Sequence, residues 1–282
     1  MKVRKPAQAG FFYSGKTEEL KREIEGCFKH RLGPKEIPKV VDKELSGIVG
    51  LICPHAGYAY SGPVAATAYS ELARHGRPRT IVIVGPNHTG RGSGVSLMNE
   101  GVWVTPLGEV KIDSHLANSI LENASIIDVD VEAHTYEHSI EVQLPFLQYL
   151  YGSNFRFVPI CMMMQDLETS RELGEAISKV ANEPTHLVLA SSDMTHYEPH
   201  EVAVFKDMKV IQAIQRLDEQ LIEDTVESEM VSACGVGPII SAVVYSKRRG
   251  ATEAKLLSYR TSGEISGDYQ SVVGYASMVI PL

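Results

Sequence analysis

The chain contains no run of 18 or more apolar residues, so no stretch of it reads as a membrane-spanning helix. It has no excess of basic residues either. Its 27 Lys and Arg face 35 Asp and Glu, giving a formal net charge of −8. That balance argues against a nucleic-acid partner, because such affinity rests on neutralising phosphates. The one short basic run, Lys247-Arg248-Arg249, reads as a helix end, where cations oppose the negative pole of the dipole. Cysteine is scarce: four in 282 residues, at Cys27, Cys53, Cys161 and Cys234, without CxxC spacing. The scatter argues against a disulfide framework and for a reducing, cytoplasmic setting. The opening Met1-Lys2-Val3-Arg4-Lys5 carries charge with no apolar stretch behind it, so no secretion signal is expected. Repeats, low-complexity segments and long linkers are all lacking. The expectation is a single domain over residues 1–282.

What the chain has is apolar content, 44% of its residues, enough for a sizeable core. Short apolar runs at 48–52, 80–84, 155–160 and 186–190 read as buried strands, and amphipathic segments between them read as helices. Two further strands are expected at 256–259 and 272–280. The alternation predicts an α/β domain with a central, mostly parallel or mixed sheet flanked by helices. A helix is expected over 137–151, and residues 94–109 read as a hairpin insertion.

Three segments stand just past such strands. They are Cys53-Pro54-His55-Ala56-Gly57-Tyr58, Gly85-Pro86-Asn87-His88 and Ser191-Ser192-Asp193-Met194-Thr195-His196-Tyr197. Each delivers a histidine to the crevice beyond the carboxyl ends of the strands, where open α/β sheets bind ligands. Cys234 precedes Gly235-Val236-Gly237-Pro238, which reads as a helix N-terminus, a place that stabilises a thiolate. Two imidazoles and a thiolate form a borderline-soft donor set, suited to iron, copper or zinc rather than magnesium or calcium. Asp193 is placed to orient His196, which then serves as a general base or a ligand. In Glu137-His138-Ser139-Ile140-Glu141, residues four apart share one helical face. Glu137, His138 and Glu141 therefore read as supports for the site's side chains. The glycines Gly90, Gly92 and Gly94 after His88 offer backbone to an anion. Three readings follow: a metal-dependent redox centre, a non-catalytic module that recognises peptide or anionic ligands in the same crevice, and, ranked last, hydrolysis by a zinc-bound water.

Taken in order, these segments with Arg4-Lys5-Pro6-Ala7, Gly10-Phe11-Phe12-Tyr13 and residues 269–275 resemble the Memo family (mediator of ErbB2-driven cell motility), in the form of a prokaryotic member. That family is similar to the catalytic subunit of class III extradiol ring-cleaving dioxygenases, and the resemblance implies their fold. By position it makes His55 and His88 the ligating histidines and His196 the acid–base residue, with Asp193 beside it. Cys234 falls near the third ligand, where the dioxygenases carry a glutamate, and this departure weighs against ring cleavage. The family resemblance implies iron or copper held by His55, His88 and Cys234, with oxidoreductase chemistry; zinc is the less favoured metal. Tyr58, Trp103 and Tyr197 are expected to line the entrance. The implied partners are a small molecule or peptide ligand, a radical-SAM protein and an AMMECR-type protein.

Overall fold

The structure, a computed structural model, describes residues 2–282, so Met1 of the basic opening lies outside it. The elements in chain order are β1 (Val3–Arg4), α1 (Thr17–Lys29), β2 (Ile48–Cys53), α2 (Tyr58–His75), β3 (Thr80–Pro86), β4 (Val95–Leu97), β5 (Val102–Thr105), β6 (Gly108–Ile112), α3 (Ser114–Leu121), β7 (Asp128–Val129), α4 (Leu144–Tyr151), β8 (Arg156–Met162), α5 (Leu167–Val180), β9 (His186–Ser191), β10 (His196–Glu198), α6 (His200–Gln215), α7 (Glu219–Ser228), α8 (Val236–Arg248), β11 (Lys255–Thr261), α9 (Gly263–Ser266) and β12 (Val272–Pro281). Single 3-10 turns at Glu132–His134 and Glu141–Gln143 precede α4.

Four strands, in the order β8-β3-β9-β2, form the parallel centre of a mixed 12-stranded sheet. Val82 of β3 pairs with Val158 on one side and Val188 on the other. Their sequences are continuous apolar runs rather than alternating ones because helices cover both faces of a parallel centre. Helix α8 lies against β9, β2 and β3 and packs on α5, while α2 lies against β2 and β12 and packs on α1. The last strand, β12, runs antiparallel beside β2 and carries β11 on its other side. No helix among the described residues is long and apolar enough to cross a membrane. The segment read as an insertion joins the sheet instead, since Val95 of β4 pairs with Met162 of β8 and β6 runs parallel to β8.

The helix expected over 137–151 begins late. The Glu137 carboxylate accepts the backbone N–H groups of His138 and Ser139, both at 2.9 Å, and Ser139 Oγ donates to Pro86 O at 2.8 Å. These bonds compete with helical ones and tie residues 137–139 to the end of β3. Gly85 makes the approach feasible: a Cβ there would lie 2.6 Å from Ser139 Oγ. Glu137 and Glu141 therefore do not share a helical face.

Glu141 instead anchors the N-terminal arm. Its fully buried carboxylate pairs with Arg4 and accepts Ala7 N at 3.0 Å, Gln8 N at 2.9 Å and the Tyr13 hydroxyl at 2.5 Å. The same arm buries Trp103, which was expected at an entrance. Trp103 is 1% exposed, under the Arg4 guanidinium at 4.4 Å and edge-on to Phe157 at 5.4 Å. Its indole N–H points at Met98 Sδ, 3.3 Å away. Trp103→Ala is expected to lower folding stability by about 3–5 kcal/mol, the cost of emptying a packed aromatic site. Urea unfolding checks this, and a loss below about 1 kcal/mol would return Trp103 to an exposed role.

Candidate metal centre

His55 sits two residues beyond β2 and is almost fully buried. Its backbone N–H donates to Asp193 Oδ1 at 2.8 Å. Its ring is held from two sides: Nδ1 lies 2.9 Å from Ser191 Oγ and Nε2 lies 3.1 Å from Cys234 Sγ. Burial drives its pKa well below the usual histidine range, and His138, His88 and His196 push the same way. The ring is thus neutral, the form that ligates metals.

Cys234 stands immediately before Gly235, which caps α8. A Cβ at Gly235 would lie 2.4 Å from Ser191 O, so only glycine lets this helix start press on the end of β9. Cys234 Sγ accepts Asp193 N–H at 3.3 Å. Burial, aided by the Asp193 charge, raises its thiol above the ordinary range, so an incoming metal must displace a proton. The expected thiolate at a helix N-terminus is therefore a thiol in the protein alone. The other three cysteines are buried free thiols.

His88 forms the rim, two residues beyond β3, with its side chain 33% exposed. Glu137 grips it twice, accepting His88 N–H at 2.5 Å and facing Nδ1 at 2.9 Å. Burial alone would raise the Glu137 carboxyl, but the His88 hydrogen bond and the nearby His138 and His88 bring it down to about 2. An ionised carboxylate only accepts, so His88 Nδ1 donates to it and Nε2 is the ring nitrogen turned away from Glu137. One ligand atom from each of His55, His88 and Cys234 lies within 4.8 Å of the other two. Three donors delivered by β2, β3 and the start of α8 thus meet at one place.

His138 stands inside this site rather than behind it. Its ring lies 5.2 Å from His55 and stacks on His88 at 4.4 Å. Burial lowers its pKa to about 4, so it too is neutral. The arm reaches it as well, through the Phe12 ring at 4.5 Å. His138, His88 and Glu137 also cluster within ligating reach of one another. The Glu137 oxygens, however, already accept the backbone N–H groups of His88, His138 and Ser139.

His196 opens β10 and is half-buried. Its Nδ1 lies 2.8 Å from Ser232 O, and a carbonyl can only accept. Nδ1 therefore holds the proton and Nε2 is the basic nitrogen. Ser232, not Asp193, orients this ring. The Asp193 carboxyl, raised to about 6 by burial against the pull of the His55 amide, fixes the His55 backbone instead. Of the aromatics expected at the entrance, Tyr197 alone is on the surface, 76% exposed beside His196. Tyr58 is buried between Tyr13 and Phe146, with its hydroxyl donating to Val142 O at 2.6 Å.

The glycine-rich loop after His88 uses its own amides. Asn87 Oδ1 accepts Thr89 N and Gly90 N, Thr89 Oγ1 accepts Arg91 N, and Asp130 accepts Ser93 N. Of the three glycines read as offering backbone to an anion, Gly90 has its amide occupied in this way. Sequence reasoning missed Ser191, Gln143 and Ser232. Ser191 carried a weak signal, a hydroxyl at a strand end beside an aspartate; Gln143 carried none.

A family model described as Memo-like protein matches residues 4–279. A MEMO1 family protein of Methanopyrus kandleri is 54% identical over 278 residues, 98% of each chain. Another, of Methanocaldococcus jannaschii, is 49% identical over 287 residues, 99% of each chain. The crystal structure of an uncharacterized protein from Escherichia coli K12 superposes with a TM-score of 0.50 at 16% identity. It covers 81% of this chain and 99% of that one, and it supports the fold alone. With matches from archaeal relatives running nearly end to end, the resemblance read from the motifs holds, and the chain belongs to the Memo family.

Proposed function

We propose that this crevice is a redox-metal centre, binding iron or copper through His55, His88 and Cys234. One observation carries the reading: two imidazoles, that of His55 neutral through burial, and a thiol, from three distant segments, come within ligating reach of one another. A set of two nitrogens and one sulfur fits a borderline-soft metal, and its geometry leaves the His88 side open to solvent. A metal so bound would supply one-electron chemistry. The residues of the chain have separable tasks. His55 and Cys234 form the floor, and Asp193 fixes the His55 backbone. Glu137 steers His88. His196, with its basic Nε2, takes or returns a proton on a bound ligand. A thiol where the ring-cleaving enzymes place a carboxylate weighs against catechol cleavage, since sulfur beside activated oxygen is oxidisable.

The test is metal analysis of protein purified without oxygen. Wild type is expected to hold close to one iron or copper per chain, and His55→Ala and Cys234→Ala close to none. Undiminished content in both variants would remove the proposal. Zinc alone, with no activity dependent on oxygen or reductant, would change the metal and discard the redox role.

A further inference from the structure

The hydrogen bonds behind His55 have a direction that can be worked out atom by atom. A serine hydroxyl has one proton and two lone pairs. Ser191 Oγ lies 2.7 Å from Ser139 O, a carbonyl that cannot donate, so the serine proton is spent there. Gln143 Nε2 lies 2.8 Å from the same Oγ and 3.1 Å from Pro54 O. Its Oε1 accepts the Tyr69 hydroxyl at 2.5 Å. Those two partners fix the amide orientation, because only the NH₂ group satisfies Pro54 O. Gln143 therefore donates to Ser191 and occupies one of its lone pairs. Toward His55 Nδ1, at 2.9 Å, Ser191 has only an acceptor left. Tyr69, Ser139, Gln143 and Ser191 are all buried, so water does not compete for these bonds.

We infer that Ser191, oriented by Gln143 and Ser139, is the positioning residue that keeps His55 in its Nδ1–H tautomer and so turns the Nε2 lone pair toward Cys234. The inference rests on the metal-centre reading for its purpose, though not for its geometry. Ser191 plays for His55 the part Glu137 plays for His88, with a neutral hydroxyl in place of a carboxylate. Partners of this kind fix the tautomer and raise the basicity of a ligating imidazole.

The tautomer can be read without any metal. In chelator-treated, reduced protein carrying ¹⁵N-histidine, long-range ¹H–¹⁵N spectra are expected to show His55 protonated at Nδ1. Ser191→Ala removes the acceptor, so the His55 signals are expected to move toward the Nε2–H form. Its affinity for Co(II), followed through the sulfur-to-metal absorption band, is expected to fall by about 10–100-fold. Ser191→Thr restores the hydroxyl and is expected to recover both readouts. Wild-type His55 protonated at Nε2, or an unchanged tautomer in Ser191→Ala, overturns the inference. The wild-type spectrum decides alone if the alanine variant does not fold. A wild type that shows the expected tautomer but takes up no Co(II) keeps this assignment and discards the metal reading.

Discussion

Arg4→Met is expected to destabilise the protein by about 3–5 kcal/mol, although Arg4 lies far from His55, His88 and Cys234 in sequence and touches none of them. The magnitude follows from what the substitution leaves behind. Glu141 is fully buried, and Arg4 is its only cationic partner among the described residues. Breaking a buried pair from one side strands an uncompensated charge, which costs far more than the pair itself contributes. Arg4 also donates to two backbone carbonyls, His134 O at 2.9 Å and Glu137 O at 2.8 Å, and both would lose their donor. The urea midpoint should fall at unchanged slope, the signature of a stability change without a change in compactness. Arg4→Met/Glu141→Leu should be less destabilised than the sum of the single variants, because the two residues act on one another directly. A strictly additive double variant would show that the arm is held by its other contacts.

The second large effect is expected at Glu137. Glu137→Ala should weaken Co(II) binding by about 10–100-fold, the usual cost of losing the carboxylate behind a ligating histidine. The carboxylate accepts His88 N and Nδ1, His138 N and Ser139 N. Its removal frees the His88 ring, unties the segment carrying His138 and leaves buried N–H groups unmatched. Glu137→Gln keeps the shape but turns an NH₂ group toward donors, so it should recover little of the affinity. His196→Ala is the comparison: Ser232 holds that ring and it belongs to no ligating cluster among the described residues, so Co(II) affinity should stay at the wild-type level. Equal affinity in Glu137→Ala and wild type would mean that His88 is oriented by its backbone alone.

How much of this was legible depends on where each residue's role is decided. His55 and His88 could be read because strand, turn and imidazole are neighbours in sequence, and strand ends of one direction share an edge. Cys234 could be read for a similar reason, as a thiol before a glycine-started helix. Glu141 was misplaced because its spacing from Glu137 fits a helical face, and that helix is broken by the Glu137 cap on His138 and Ser139 together with the Ser139 bond to Pro86. Trp103 and Tyr58 looked like an entrance because aromatic residues suit both cores and rims. Their burial is set by Arg4, Phe157 and Phe146, more than fifty residues away in each case. Asp193 was paired with the wrong histidine because His196 is nearer in sequence, whereas the His55 amide is nearer in space. Ser191 and Gln143 have no charge and no spacing rule, so their work appears only once donors and acceptors are matched.

The seat of β2 between β9 and β12 has a consequence for the order of events in the cell. Residues 48–53 find their two flanking strands only when residues 186–191 and 272–281 exist. A nascent chain leaving the ribosome therefore has His55 and His88 long before it has a wall around them. An ion captured there early would meet an unformed, water-filled hollow. On the proposed metal reading, loading would therefore follow translation, with entry from the flank where His88 faces solvent.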